Sequence, residues 1–263
     1  MTKALFKFFT VLLAAQMLLA AVVFLTAQSQ ITKATLGMGL GLVLIWVGLG
    51  GWLSYKFKNS VKRLFSTLPG SPAWKFFLFS LTLAMLEEAI AVLMTNTAPL
   101  YGLGLGQAYI TASTNYWDTI FGHSVILFLP QFAVWALILK RYNFKPLQVM
   151  LLFGLTGTLM EASLSGGSGL LEAGMWVFVY GLMMYLPAYC LPKNPLAKPL
   201  RWYHFPLAVI LPLLSIPLAA PLLILLRAVR PSINHSLLRP AALDTFYLLL
   251  YNTGKLTPRL SPG

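Results

Sequence analysis

Apolar residues fill long stretches of this chain, and short polar segments separate them. Runs of about twenty apolar residues match the thickness of a bilayer core, so this pattern predicts membrane-spanning helices. By run length, the predicted helices lie near residues 8–27, 36–55, 74–95, 118–139, 147–164, 170–191 and 204–226. The sequence therefore predicts an all-α fold, a polytopic transmembrane bundle of about seven helices. We expect one membrane domain over residues 1–263, with a basic tail at residues 228–263.

The first apolar run has two interpretations. Lys3 and Lys7 precede it, and small residues such as Ala27 and Ser29 follow it, which also fits a secretory signal peptide. We favour a retained helix. The last run contains four prolines, which predict a kinked or re-entrant segment. They are Pro206, Pro212, Pro217 and Pro221.

Composition supports the membrane interpretation. Hydrophobic residues make up 58% of the chain and charged residues only 10%, whereas soluble domains carry about 25% charged residues. The net charge of +13 comes from short Lys and Arg clusters between apolar runs, which favours anionic lipid headgroups over nucleic acid as the partner. The only cysteine, Cys190, excludes an internal disulfide.

The basic residues also predict an orientation. Residues 56–73 contain four Lys or Arg, and residues 140–146 and 192–203 contain three each, whereas residues 96–117 and 165–169 contain none. Because cytoplasmic loops hold the excess of positive charge, this alternation predicts a cytoplasmic N-terminus. The proline-rich last run leaves the side of the basic tail undecided.

Two similar segments each lead to a glutamate. Leu78-Phe79-Ser80-Leu81-Thr82 precedes Glu87 by the same interval at which Leu152-Phe153-Gly154-Leu155-Thr156 precedes Glu161. Carboxylates inside apolar runs are costly, and they usually serve a function. The similarity makes Glu87 and Glu161 counterparts, whereas the adjacent Glu88 aligns with Ala162 and points about 100° away from Glu87.

A second match follows the first. Residues 126–132 resemble residues 183–189, and each segment contains a Leu-Pro pair. The two matches predict an internal duplication of helical hairpins, residues 74–139 and residues 147–191. Both hairpins enter the membrane from the same side, so they form tandem parallel repeats about an axis along the membrane normal.

Polar groups of the predicted helices converge in the outer half of the bilayer. Glu87, Glu161 and His123 fall at similar depth there, and Glu88 completes the set of candidate catalytic residues. A stripe on the fourth helix includes Gln131 and Trp135, and a comparable line on the sixth includes Glu172 and Tyr180; these four are the candidate binding residues.

Several functions use these residues. Glu87 could activate water beside His123 in a hydrolase, or Glu87 and Glu161 could alternate in a proton- or cation-coupled transporter. The same groups could instead lock helix packing in a non-catalytic membrane subunit. Carboxylate and imidazole could bind zinc or iron, but no metal-ligand spacing supports this, so no metal and no cofactor is expected.

The Glu87-Glu88 pair in one membrane helix and His123 in the next resemble the CAAX-protease and bacteriocin-processing superfamily of glutamic intramembrane proteases. The resemblance covers residues 74–165, although Val92 and Thr119 stand where that family has Arg and Phe. It implies that Glu87 or Glu88 activates water and that His123 stabilises the oxyanion or orients the site. The best sequence-based hypothesis is thus a membrane-embedded, peptidase-like hydrolase, with a membrane protein or a second copy of the chain as a further possible partner.

Overall fold

A computed structural model of the chain describes residues 2–122, 124–165 and 167–229. Its α-helices are α1 (Thr2–Thr26), α2 (Gln30–Leu42), α3 (Gly51–Thr67), α4 (Pro72–Thr95), α5 (Tyr116–Gly122), α6 (Ser124–Arg141), α7 (Pro146–Leu164), α8 (Ala173–Cys190), α9 (His204–Ser215) and α10 (Ala220–Val229). Over these residues the fold contains no β-strand, which confirms the predicted all-α class. Most of the predicted basic tail, from residue 230 onward, lies outside the described residues.

Six helical segments of the described chain are long and apolar enough to cross a bilayer. They are Thr2–Thr26, Gln30–Thr67, Pro72–Tyr101, Ser124–Arg141, Gly169–Cys190 and His204–Leu226. Large apolar side chains on their outer faces, such as Leu25 and Leu218, are more than 70% exposed. Lipid is the environment in which such a surface is stable. The chain is an integral, multi-pass membrane protein.

The second helical segment extends beyond its apolar run. A π-helical turn, Val43–Gly50, joins α2 to α3 without interruption, and α3 continues to Thr67 rather than to the predicted end at residue 55. The extension carries Lys56, Lys58 and Lys62, which limit the apolar run but not the helix, because lysine is a good helix former.

The sequence predicts that Asp118 caps the start of the fourth predicted helix, because its carboxylate would satisfy free backbone donors there. Asn115 Oδ1 accepts hydrogen bonds from the backbone N–H groups of Trp117, at 2.9 Å, and Asp118, at 3.3 Å. Asn115 is therefore the residue that satisfies the free donors of α5, and the prediction for Asp118 was wrong. Asp118 instead lies in the first turn, where a negative charge is favourable to the helix dipole.

The helices α7 and α8 approach each other closely through glycine. A Cβ atom at Gly154 would overlap the backbone carbonyl oxygen of Val177, and one at Gly181 would lie 2.6 Å from the Met150 carbonyl oxygen. The small residues Gly154 and Gly157 near Glu161 predict that a neighbouring helix approaches closely, and these contacts confirm it. The helix α4 packs on both α6 and α8, so the second hairpin lies beside the first. The duplication of the two hairpins stays a prediction.

The first helix is part of this bundle. Gln16 donates from Nε2 to the Leu171 carbonyl, at 2.6 Å, and accepts at Oε1 from the Met175 backbone N–H, at 2.9 Å. Gly174 is packed directly against the same side chain. These bonds satisfy backbone groups at the start of α8, so α1 is a structural element of the fold.

Replacing Gln16 by Ala is expected to destabilise the folded protein by about 1 kcal/mol or more, because two hydrogen bonds to the start of α8 are lost. The measurement is thermal unfolding of the purified protein in detergent. The exposed Gln28→Ala is the matched control and should change stability little. Equal effects of the two substitutions would contradict a structural role for the Gln16 contacts.

Candidate functional site

Three buried or half-buried carboxyl groups, two on α4 and one on α7, interact through their charges. Glu87 and Glu88 on α4 are only 5% and 6% exposed, and Glu161 on α7 is partly buried. The charge of Glu87 interacts with those of Glu88 and Glu161, and Glu88 also interacts with Glu161. The structure thus brings together three of the four predicted catalytic residues, which we call the carboxyl cluster.

The segment between α4 and α5 covers one side of the cluster. We call residues 96–115 the cap. Thr111 Oγ1 in the cap donates a hydrogen bond to Glu88 Oε2 at 3.0 Å. A second hydroxyl, on Ser124 at the start of α6, also hydrogen-bonds to Glu88. Glu88 therefore faces neutral hydroxyl groups of the cap and of α6.

Hydrogen bonds join the two ends of the cap to each other and tie the cap and the residue that follows it to α4. Asn96 Nδ2 donates to the Thr114 carbonyl at 3.0 Å, and the Ile110 N–H donates to Thr95 Oγ1 at 3.3 Å. Just after the cap, the Tyr116 hydroxyl donates to the Met85 carbonyl at 3.1 Å. Burial, together with the charge of Glu88, raises the pKa of the Tyr116 phenol. These contacts hold the cap over the cluster.

Glu161 has a different partner, from α8. The Tyr180 hydroxyl donates to Glu161 Oε1, and the Tyr180 side chain is only 7% exposed. The Tyr180 ring packs directly on Gly157, where any Cβ atom would overlap ring carbons. A glycine one turn before Glu161 is therefore the feature of the sequence that admits the tyrosine.

The helices that carry the carboxyls are staggered. Thr95 ends α4 eight residues after Glu87, whereas Leu164 ends α7 three residues after Glu161. At about 1.5 Å per residue, α4 extends about 12 Å beyond its glutamate and α7 about 4.5 Å. The cluster is thus recessed on the α4 side and lies near the end of the bundle on the α7 side.

Glu172 lies on this shallower side. It is exposed at the start of α8, its Oε2 accepts a hydrogen bond from Trp176 Nε1 at 3.0 Å, and its charge interacts with Glu161. Glu172 and Tyr180 are the predicted binding residues that the structure places beside the cluster. His123 lies outside the described residues; the residue after it, Ser124, reaches Glu88.

The other two predicted binding residues lie deeper along α6. Gln131 Nε2 donates to the Leu127 carbonyl at 3.1 Å and contacts Met160 Sδ at 3.9 Å. Trp135 is fully buried against Phe144, and its Nε1 has no hydrogen-bond partner among the described residues. Trp135 is eleven residues, or about 16 Å, along α6 from Ser124. The helix α6 thus meets the cluster through Ser124 in its first turn, whereas Gln131 and Trp135 lie further along the helix.

Sequence reasoning missed the hydroxyl residues that surround Glu88. Thr111, Ser124 and Tyr116 are neutral and common, and none carries a spacing signature. The available signal was the composition of the cap, which is uncharged and rich in hydroxyl groups between two membrane helices.

Comparisons of the chain with protein families, with curated proteins and with solved structures give no match. Within residues 2–122, 124–165 and 167–229, no three His, Cys, Asp or Glu side chains form a group suited to a metal ion. The carboxyl cluster and its hydroxyl partners are therefore the features of the molecule that indicate a function.

Replacing Tyr180 by Phe is expected to destabilise the protein by about 0.5–1.5 kcal/mol, the usual value of a hydrogen bond between membrane helices. A double-mutant cycle with Glu161→Gln, followed by thermal unfolding in detergent, isolates the interaction between the two side chains. Tyr203→Phe, remote on the loop before α9, is the control. Additive effects of Tyr180→Phe and Glu161→Gln would contradict the direct contact.

Proposed function

We propose that the carboxyl cluster is the active site of a membrane-embedded hydrolase in which Glu87 activates a water molecule. The observation that carries this proposal is the unequal distribution of hydroxyl donors among the residues that the structure describes. Glu88 is held by Thr111 and Ser124, and Glu161 is held by Tyr180, whereas Glu87 interacts with the charges of both neighbouring carboxyls. Glu87 is thus the member best placed to exchange a proton with a water molecule.

Grouped carboxyls suit acid–base catalysis. Like charges at close range in a medium of low dielectric cannot all be ionised, so neighbouring carboxyls share protons. A pair that shares one proton contains a general base and a general acid side by side, an arrangement that hydrolases use to activate water. Because the charge of Glu87 interacts with those of Glu88 and Glu161, either neighbour is a candidate partner for Glu87 in such a pair.

The proposed reaction is hydrolysis of an acyl bond. Glu87 accepts a proton from water while the water oxygen bonds to the acyl carbon, and the carbonyl oxygen becomes a tetrahedral oxyanion. Collapse of this intermediate breaks the bond to the leaving group, which takes up the proton. The resemblance to glutamic intramembrane proteases implies that His123 stabilises this oxyanion or orients the site.

The position of the cluster suggests the class of substrate. The cap and α4 cover one side, while the α7 side is near the end of the bundle, beside the exposed Glu172. A substrate that lies in the outer part of the bilayer can approach from there. We therefore expect a membrane-embedded peptide or lipid ester rather than a soluble metabolite.

The test uses isotope-labelled water. Purified protein reconstituted in lipid vesicles is incubated with pools of membrane peptides and of lipid esters in H₂¹⁸O, and the products are analysed by mass spectrometry. Hydrolysis should place one ¹⁸O atom in the new carboxyl group, and Glu87→Gln should abolish this signal. A wild-type protein that labels no product in either pool contradicts the proposal.

A second candidate is proton-coupled transport, favoured by the interaction between Glu87 and Glu161, which belong to different hairpins. A proton shared by these residues could link movement of one hairpin to that of the other. The same vesicles, loaded with a pH indicator, provide the test. A proton flux that Glu161→Gln abolishes, without ¹⁸O incorporation, would support transport over hydrolysis.

A further inference from the structure

Charges are segregated between the two ends of the bundle. The acidic residues of the described chain all lie at the cap end: Glu87, Glu88, Asp118, Glu161 and Glu172. The opposite end carries the second half of α3, the start of α4, the α6–α7 turn and the loop after α8, with Lys56, Lys58, Lys62, Arg63, Lys75, Lys140, Arg141, Lys145, Lys193, Lys198 and Arg201. We call this the lysine end. Among the residues that the structure describes, no carboxylate lies at this end to offset its positive potential.

A pocket of about 460 Å³ opens at the lysine end, and we call it the lysine pocket. Lys62 from α3, Lys145 from the α6–α7 turn and Lys193 from the loop after α8 lie in its wall, together with Asn143 and Tyr189. Its volume is within the range of about 300–1,000 Å³ typical of small-molecule sites. Three cations from three separate parts of the chain thus converge on one cavity.

A second recess, of about 350 Å³, adjoins the lysine pocket. The two cavities share four lining residues, which form a common wall: Leu139, Leu191, Pro192 and Lys193. The second recess continues between α4 and α6 along Phe76 and Ala136, which belong to the apolar interior. A cationic pocket thus adjoins an apolar groove, an arrangement that suits an amphipathic ligand.

Hydrogen bonds hold the pocket walls in place. Asn143 Nδ2 donates to the Asn194 carbonyl at 2.8 Å, and the Asn194 N–H donates to Asn143 Oδ1 at 3.1 Å. Asn194 Nδ2 also donates to the Lys140 carbonyl at 2.8 Å. The loop that carries Lys193 is therefore tied to the turn that carries Lys145, and the spacing of these two cations is set by the fold.

The wall of the lysine pocket that carries Lys62 is also held in place by side-chain contacts. The Tyr189 hydroxyl donates to Asn59 Oδ1 at 2.7 Å, which ties α8 to α3. Lys62 Nζ lies 5.4 Å from the centroid of the Tyr189 ring, a cation–π contact that directs the lysine along this wall.

We propose that the lysine pocket binds the phosphate of an anionic phospholipid, with an acyl chain in the adjoining groove. Three lysines converge on a cavity that lacks a carboxylate in its wall, and phosphate is the lipid group that such a cluster recognises. The Lys and Arg distribution predicts that this end faces the cytoplasm, where membranes carry their anionic lipids. This site is separate from the carboxyl cluster and does not depend on its proposed function.

The test measures lipid binding to the purified full-length protein in neutral detergent by native mass spectrometry, with phosphatidylglycerol as the probe and phosphatidylcholine as the neutral reference. The variant Lys62→Gln/Lys145→Gln/Lys193→Gln should bind phosphatidylglycerol about tenfold or more weakly. The variant Lys3→Gln/Lys7→Gln/Lys56→Gln removes the same charge from the same side outside the pocket, and should change binding less than about twofold. Replacement of the pocket lysines by Arg should preserve binding.

Lys193→Gln alone, on the exposed loop, keeps the test valid if the triple variant fails to fold, and should weaken binding about threefold or more. Equal losses in the two triple variants, or equal binding of phosphatidylglycerol and phosphatidylcholine to the wild type, would overturn the proposal. A competition arm uses inorganic phosphate. If phosphate displaces phosphatidylglycerol at equal concentration, the site is one for free phosphate and the lipid proposal is wrong.

Discussion

Replacing Glu87 by Gln is expected to lower the rate of hydrolysis by about 10²–10⁴-fold, the usual contribution of a general base. The amide has nearly the same size and can still hydrogen-bond, but it cannot accept the proton of the attacking water. The measurement is the single-turnover rate on the substrate found by ¹⁸O labelling. Thermal unfolding of the variant should show that the fold is retained.

Two further substitutions separate catalysis from general loss of charge. Glu172→Gln removes an exposed carboxylate near the site and should leave the rate within about threefold of the wild type, because this residue lies outside the proposed proton transfers. Glu88→Gln should lower the rate and shift its pH profile, since Glu88 shares protons with Glu87 in the proposed mechanism. A Glu87→Gln enzyme as active as the Glu172→Gln enzyme would rule out Glu87 as the base.

Replacing Gly154 by Ala is expected to destabilise the protein by about 1–3 kcal/mol, although Ala is the better helix former. The added methyl group would meet the backbone carbonyl of Val177, which cannot rotate away as a side chain would. The helices α7 and α8 must then separate, and Glu161 moves relative to Tyr180. Thermal or denaturant unfolding in detergent measures the loss.

The matched control is Gly39→Ala on α2, where an added Cβ atom meets no neighbour within 4 Å. Because no steric conflict arises, the higher helix propensity of Ala determines the stability of this variant. It should be as stable as the wild type or more stable by up to about 1 kcal/mol. Equal destabilisation at both positions would show that the close approach of α7 and α8 is not the cause.

The membrane segments could be predicted well because bilayer thickness sets the length of an apolar run. Each predicted helix has a counterpart in the structure, but α7, the counterpart of residues 147–164, is not among the six segments that are long and apolar enough to cross a bilayer. The largest difference is at α3, where a charged extension continues the helix past its apolar run to Thr67. Run length detects the part of a helix that lies in lipid, not the part that projects beyond it.

The candidate site was predicted in part, and the difference has a physical cause. Carboxylates in apolar runs are conspicuous, so Glu87, Glu88 and Glu161 were found, and the structure brings them together. Thr111 and Ser124 are uncharged, so placing them in a membrane helix or loop costs little free energy. Nothing in their spacing identifies them as site residues. Trp135 follows the predicted stripe but lies about 16 Å along α6 from the cluster.

The sequence by itself determined an all-α, multi-pass membrane protein with costly carboxyl groups in its helices. Both conclusions follow from local quantities, the length of apolar runs and the free energy of placing charge in lipid. Only the tertiary structure decided that Glu88 meets the cap, that Glu161 meets Tyr180, and that three lysines converge on one pocket. These contacts depend on the rotation and stagger of whole helices, which are set by packing at glycines such as Gly154 and Gly157 and not by any local pattern.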